Sequence, residues 1–221
     1  MKNIALIPAR GGSKRLAGKN TKLLGGIPLL AHSIRYAQQF SDLIEAVFVS
    51  TNDPECKAVA LEFGAQVIDR PNELATDESP TYTCLQHALA QLENTVETIC
   101  LLQPTNPLRP ANLLPEAYAL YTQQAASSLF TVSRSQHKLG KLDNHRFYPF
   151  NYSIGQRSQE LEPLYFENGL LYITTPAVLQ QDLVFNSDAV PFAVEHPFAQ
   201  VDIDTLADFE YAEYVVQKQI S

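Results

Sequence analysis

Ile4-Ala5-Leu6-Ile7-Pro8-Ala9-Arg10-Gly11-Gly12-Ser13-Lys14-Arg15-Leu16-Ala17-Gly18-Lys19-Asn20 passes from an apolar run straight into a loop rich in glycine and basic residues. The run Ile4–Ile7 predicts a buried first strand. Five basic residues (Arg10, Lys14, Arg15, Lys19 and Lys22) fall within thirteen positions, in a chain of formal net charge −8. Such a cluster repels itself unless an anion sits among the charges. Gly11, Gly12 and Gly18 allow close approach of the backbone and expose its N–H groups, as anion-binding concavities require. The implied guest is a polyphosphate, and a solvated basic turn is the alternative that the loop alone leaves open. Two familiar phosphate loops are excluded by spacing. Gly12 and Gly18 are one residue too far apart for a P-loop, and Asn20 replaces its Ser or Thr; adjacent Gly11 and Gly12 break the dinucleotide fingerprint.

The strand and loop open an alternation that runs along the chain. Helix-period segments are expected at Pro28–Ala37, from Pro54 to about Phe63, at Thr81–Leu92, Pro110–Gln124 and Thr205–Gln217. Thr51-Asn52-Asp53-Pro54 supplies a cap for the second of these. Strands are expected at Ala46–Ser50, Gln66–Ile68, Thr98–Leu102, Ser128–Val132 and Gly169–Ile173. The pattern predicts an α/β fold, doubly wound, with a mostly parallel sheet and helices on both faces. Ligands in such sheets bind beyond the carboxyl ends of the strands, where Arg10–Asn20 lies. The rhythm breaks at 133–163, a polar segment carrying His137, His145, Tyr148, Phe150 and Tyr152. A small hairpin-like excursion whose aromatics meet a second subunit is one reading; a surface loop is the other.

Composition narrows the function classes. With 221 residues, 45% hydrophobic and 18% charged, the chain can bury a real core. No apolar run approaches the ~20 residues of a membrane span, and no secretory leader is read at the start. Cys56, Cys84 and Cys100 are read as reduced core residues, consistent with a cytoplasmic protein. The acidic balance argues against nucleic acid as partner.

Three further stretches carry chemistry. In Val201-Asp202-Ile203-Asp204-Thr205, an extended backbone would turn both carboxylates to one side, a pair able to hold Mg²⁺ beside substrate phosphates. Capping of the last helix by Asp204 or Thr205 is the competing reading, and both hold if Asp204 caps while Asp202 binds metal. Leu102-Gln103-Pro104-Thr105-Asn106-Pro107-Leu108-Arg109-Pro110 ends a buried strand in a stiff polar loop facing the same crevice. Asp69-Arg70-Pro71 through Thr81 is a loop that can fold over a base or ribose.

Taken in order, Ile7–Lys14, Lys19-Asn20, Val49-Ser50-Thr51, Arg70-Pro71, Leu102–Thr105, Glu167-Asn168-Gly169 and Asp202-Ile203-Asp204 resemble the acylneuraminate cytidylyltransferases, the CMP-sialic acid synthetases. The resemblance spans the first strand to the last helix. It implies transfer of CMP from CTP to the anomeric 2-hydroxyl of a nine-carbon 2-keto-3-deoxy sugar acid, with pyrophosphate released. It implies a Mg²⁺ requirement, a homodimer, and one nucleotidyltransferase domain over 1–221 with a dimerisation or substrate-lid insert at 133–163. Arg10, Gly12 and Ser13 would meet the triphosphate, Lys19 the transferring phosphate, and Asn20, Arg70 and Thr81 the nucleotide. Gln103, Thr105 and Asn168 would meet the sugar acid, and Asp202 and Asp204 the metal. Arg10, Lys19, Asp202 and Asp204 are the expected catalytic set.

One departure bears on the acid. Where some bacterial members carry an arginine two residues before the asparagine, this chain has Phe166. Arg157 is the expected replacement, with Arg134, Lys138 or a partner's basic side chain as alternatives. Deaminated sialic, legionaminic and pseudaminic acids are alternative substrates. A metal-dependent glycosyltransferase using Asp202-Ile203-Asp204, or a non-catalytic sugar-nucleotide binder, are readings from other classes.

Overall fold

The computed structural model describes residues 2–92 and 96–220. Strand β1, Asn3–Pro8, is buried along its middle and lies in parallel register between two others. That explains its uninterrupted apolar run: a central strand covered on both faces has no solvent side to mark with polar residues. Its alternate side chains serve two cores. Ala5 and Ile7 join one hydrophobic cluster, Ile4 and Leu6 the opposite one.

The chain continues through a small ribbon, β2 (Leu23–Leu24) and β3 (Ile27–Pro28), into helix α1, Leu29–Gln38. Pro28 lies just before the helix rather than within its first turn, because it is paired to Leu23 in the ribbon. Then follow β4 (Ala46–Thr51), α2 (Pro54–Glu62), β5 (Gln66–Asp69), α3 (Thr81–Ala90), β6 (Thr98–Leu101) and α4 (Leu113–Gln123). Asp53 caps α2, its carboxylate accepting from the Glu55 and Cys56 amides at 2.7 and 3.1 Å, with Pro54 at the first helical position. The helix expected from Pro110 begins at Leu113, whose amide instead closes a turn on the Pro110 carbonyl at 3.1 Å. Beyond it come β7 (Ser128–Ser135), β8 (Gly140–Asp143), β9 (Arg146–Pro149), β10 (Leu164–Thr174), α5 (Pro176–Leu179), β11 (Val190–Ala193) and α6 (Leu206–Ile220).

Seven strands form one sheet in the order β11-β7-β10-β6-β1-β4-β5. All run one way except β10, which lies antiparallel between β6 and β7. Helices α1, α2 and α4 pack on one face, α3 and α5 on the other. The sheet is thus doubly wound and mostly parallel. Strand β11, unmarked in the sequence pattern, is a short edge strand, where Pro191 is tolerated. A third cluster gathers Leu16, Leu24, Leu29, Leu108, Val201, Ile203 and Phe209, and ties α6 to the loops above β1 and β6. Cys56, Cys84 and Cys100 are buried and free.

The irregular segment resolves into an excursion with a hairpin. Strands β8 and β9 are joined by Asn144 and His145, both at positive φ (46° and 62°), the geometry of a tight hairpin turn. The excursion leaves much apolar surface uncovered: Leu142, Phe150 and Ile154 are 80%, 68% and 87% exposed. Among the described residues no helix is long and apolar enough to cross a membrane.

Candidate active site

Strands β1 and β6 are neighbours, yet the chain leaves β1 toward β4 and reaches β6 only after β5 and α3. This reversal opens a crevice at their carboxyl ends. From β1 the chain enters the basic loop, held by the Gly11 amide donating to Asn52 Oδ1 at 2.9 Å and Asn20 Nδ2 donating to the Arg10 carbonyl at 3.0 Å. Gly11 has no substitute here, since a Cβ would lie 2.6 Å from Asp53 Oδ2; Gly12 takes φ +70°.

Two hollows meet at the crevice. The first, about 190 Å³, is bordered by Arg10, Ser13, Lys19, Asn20, Arg70, Thr81, Gln103 and Thr105 among others. The second, about 310 Å³, is bordered by Gln103, Thr105, Glu167, Asn168, Tyr172, Asp202 and Asp204 among others. Gln103 and Thr105 stand on the shared rim. The structure therefore gathers the expected residues from five separate stretches of chain. Gly12 lies on a smaller neighbouring hollow with Arg10, Ser13 and Lys19.

Charge is organised around two carboxylates. Asp77, on the loop before α3, binds Arg10 and also Lys14, the latter at 2.7 Å. Lys14 and Arg10 hold its carboxyl below the usual carboxylate range. Asp204 binds Lys19 at 3.1 Å and Arg15 at 2.9 Å, one on each oxygen. The Lys19 ammonium also donates to the Ile203 carbonyl at 2.9 Å. Thr205, not Asp204, caps α6: Asp208 Oδ2 accepts from the Thr205 amide and hydroxyl, both at 2.8 Å, and the Asp208 amide returns to Thr205 Oγ1 at 3.3 Å. Of the two expected capping residues it is thus Thr205 that caps, because the cations of the basic loop claim the Asp204 carboxylate.

Asp202 sits beside Thr105 and is open to the second hollow. Although its side chain reaches solvent, flanking protein and then the Asp204 charge push its carboxyl above the ordinary range. A divalent cation would relieve this repulsion. Each carboxylate oxygen has two acceptor sites, and Mg²⁺ commonly takes one or two carboxylates together with substrate phosphates. The donor set fits that ion without a third protein ligand, and among the described residues no group of three or more His, Cys, Asp or Glu is assembled.

Arg70 is the most unusual side chain of the first hollow. Only 7% exposed, it has Nε and Nη2 buried with no hydrogen-bond partner among the described residues. Buried guanidinium donors are rarely left unpaired, so their position asks for an acceptor supplied from outside.

Asn168 is placed differently from expectation. It borders the second hollow, but its amide is turned inward: Oδ1 accepts from Thr131 Oγ1 at 2.6 Å and from the Leu170 amide at 3.1 Å, and Nδ2 donates to Ser133 Oγ at 2.9 Å. The adjacent Gly169, at φ +75°, packs against Asn106, whose Nδ2 donates to the carbonyls of Asn168 and Val201 at 3.1 Å each. Asn168 thus shapes a bulge in β10 rather than offering its side chain to a ligand. Arg157 is also spent elsewhere, gripping Glu160 three residues on in an exposed turn. Lys138 binds the Gln156 carbonyl and lies over the Tyr152 ring.

Three site residues were missed by reading the sequence. Asp77 carried no signal beyond its loop. Glu167 and Tyr172 are joined across the β10 bulge, the tyrosine hydroxyl donating to the carboxylate. Burial and then Glu167 push the Tyr172 phenol well above its ordinary value. Tyr172 reads as an ordinary core strand residue until the bulge brings its hydroxyl to the hollow's edge.

Comparison with known proteins agrees with this geometry. A family model described as Cytidylyltransferase matches residues 4–221. An N-acylneuraminate cytidylyltransferase of Escherichia coli O18:K1:H7 is 34% identical over 99% of this chain and 53% of its own length. A pseudaminic acid cytidylyltransferase of Campylobacter jejuni is 32% identical over 96% of this chain and 95% of its own. A CMP-N,N'-diacetyllegionaminic acid synthase of Legionella pneumophila is 33% identical over 98% and 97%. The chain therefore spans about half the length of the first relative and nearly all of the other two. In fold, it is similar to a CMP:2-keto-3-deoxy-manno-octonic acid synthetase complexed with CTP, at a TM-score of 0.73 and 19% identity over 99% of this chain and 100% of that one. On the strength of the family match along almost its entire length, the chain belongs to the cytidylyltransferase family.

Proposed function

We propose that the protein transfers CMP from CTP to the anomeric 2-hydroxyl of a nonulosonic acid of the N-acylneuraminate type, releasing pyrophosphate. The observation that carries this reading is the buried Arg70 guanidinium with free donors in a cleft that also holds Arg10 and Lys19. Cytosine presents two acceptors, O2 and N3, to such a fork. Uracil presents a donor at N3, which would face a donor. Nucleotide selection by Arg70 follows from that mismatch.

In this reading Arg10, Ser13 and the Gly11–Gly12 backbone face the triphosphate, and Lys19 faces the phosphate being transferred. The sugar hydroxyl oxygen bonds to the α-phosphorus as the bond from that phosphorus to the bridging oxygen of pyrophosphate breaks. Fixed cations neutralise charge on the departing group, so positioning and electrostatics carry the chemistry. The hydroxyl proton passes to Asp202, which borders the second hollow and whose carboxylate is unclaimed by the cations that hold Asp204. Asp202 and Asp204 would hold Mg²⁺, which supplies further neutralisation of the triphosphate. Gln103 and Thr105, on the rim between the hollows, face the acid. A second copy of the chain covers the apolar hairpin face, an arrangement supported by the exposure of Leu142, Phe150 and Ile154.

The test is pyrophosphate release from CTP and Mg²⁺ with a panel of N-acetylneuraminic, deaminated sialic, legionaminic and pseudaminic acids, compared by kcat/KM. Release that requires an acid and fails with UTP supports the reading. Release from UTP at an equal rate contradicts the role given to Arg70, and nucleotide binding without turnover returns the protein to the binder class.

A further inference from the structure

The second hollow poses an electrostatic problem for an acidic substrate. Its border carries three carboxylate residues, Glu167, Asp202 and Asp204. Lys19 and Arg15 are both paired with Asp204, and Mg²⁺ would be shared by Asp202 and Asp204, which leaves Glu167 without a counter-charge and none of these cations for the substrate. A sugar acid that enters with its own carboxylate ionised needs a counter-charge from somewhere else.

The sheet register identifies where that charge stands. Strands β7 and β10 continue past the end of β6 as a wall that β11 flanks as far as Val132, pairing Tyr172 with Phe130, Glu167 with Val132 and Tyr165 with Arg134. Paired residues share a face. Phe130 and Tyr172 both stack on Phe185, at ring separations of 4.2 and 6.1 Å, and the Tyr172 hydroxyl reaches Glu167 on that same side. Val132 and Arg134 follow Phe130 at intervals of two, so Arg134 belongs to this face as well. It stands two residues, about 7 Å, beyond the level of Glu167 along the wall. The Arg134 side chain is exposed and has no hydrogen-bond, ion-pair or ring partner among the described residues. By contrast, Arg157 is bound to Glu160 and Lys138 to the Gln156 carbonyl and the Tyr152 ring.

We infer that Arg134 is the specificity-determining residue that receives the carboxylate of the sugar acid. The inference rests on the cytidylyltransfer reading above and assigns the part of the acceptor site that Phe166 leaves without a cation. A guanidinium matches a carboxylate through two parallel donors, which a hydroxyl or an amide at the same carbon would not use equally. Selection of acids over neutral sugars would then lie on the β7–β10 wall rather than on the hairpin or at the bulge.

Steady-state kinetics with CTP and N-acetylneuraminic acid test this in wild type, R134Q and R134K. R134Q is expected to raise KM for the acid by roughly 10- to 100-fold, with KM for CTP within about twofold of wild type. R134K, which keeps the charge but loses the fork, is expected to fall between them. The 1-carboxamide of the same sugar discriminates charge recognition from packing: wild type prefers the acid, and R134Q loses that preference. An R134Q enzyme with unchanged KM for the acid overturns the inference, as does an R157Q enzyme that alone loses acid binding. A wild type that turns over none of the acids, by contrast, overturns the cytidylyltransfer reading and this inference with it.

Discussion

Replacing Arg70 with methionine removes the guanidinium while keeping an unbranched stem in the same space. In the folded protein Nε and Nη2 are buried without partners among the described residues, on a side chain only 7% exposed. Leaving buried donors unpaired costs about 1–3 kcal/mol, and part of that returns on substitution. R70M without nucleotide is therefore expected to be more stable than wild type by about 1 kcal/mol, or roughly 2–4 °C in Tm for a chain of this size. Function moves the other way. Two charge-assisted hydrogen bonds to the base, at about 1.5–3 kcal/mol each, are lost and only partly offset by the cheaper desolvation. A net loss of about 3 kcal/mol corresponds to a fall in kcat/KM for CTP on the order of a hundredfold. Thermal unfolding with and without CTP, together with initial rates of pyrophosphate release, reads both quantities. R70M should melt higher alone and gain less from CTP. A variant with the wild-type kcat/KM for CTP, or one that gains as much thermal stability from CTP as wild type, refutes the role assigned to these donors.

Two more expectations follow from the charges and thiols. In D77N, Arg10 and Lys14 lose the carboxylate they hold in the ligand-free site; KM for CTP should fall severalfold at low salt, an advantage that salt erodes, and a higher KM would show that Asp77 positions Arg10 instead. Because those cations hold the Asp77 carboxyl below its usual range, the latch is present at neutral pH and is released only as pH falls through that lowered value. Burial pushes the Cys56 thiol up to about 11 and the Cys100 thiol up to about 12. At pH 8 only about one thiol in a thousand and one in ten thousand are then ionised, so iodoacetamide should leave both unlabelled in the folded protein, and rapid labelling would contradict their burial.

The parallel half of the sheet was legible because β1 and β6 are covered on both faces and carry that burial as continuous apolar runs. The capped start of α2 was equally readable, since Asp53 and Pro54 act on amides next to them in sequence. What escaped depends on contacts between distant residues. The bulge of β10 lies where Gly169 meets Asn106, a packing arrangement with no local signature. The same bulge turns the Asn168 amide into the interior and lifts Glu167 and Tyr172 to the hollow, so the roles read from Glu167-Asn168-Gly169 shift by one residue. Asp202 and Asp204 were visible as a pair. Their different fates were not, because the division is made by Lys19 and Arg15, which arrive from the other end of the chain. Arg109 is a further case. It reads as part of a proline-rich connector, yet its buried guanidinium donates to the carbonyls of Gln103 and Leu170 and to Ser33 Oγ, fixing the Gln103 loop against β10.

The central claim is that the hydroxyl of a sugar acid attacks the α-phosphate of CTP in this cleft. Incubating the enzyme with CTP, Mg²⁺ and N-acetylneuraminic acid labelled with ¹⁸O at the 2-hydroxyl, followed by mass spectrometry of the products, tests it directly. The account predicts that the label is retained in the bridge between sugar and CMP, with unlabelled pyrophosphate released. Label found in pyrophosphate, or a product joined through any other oxygen, would contradict it.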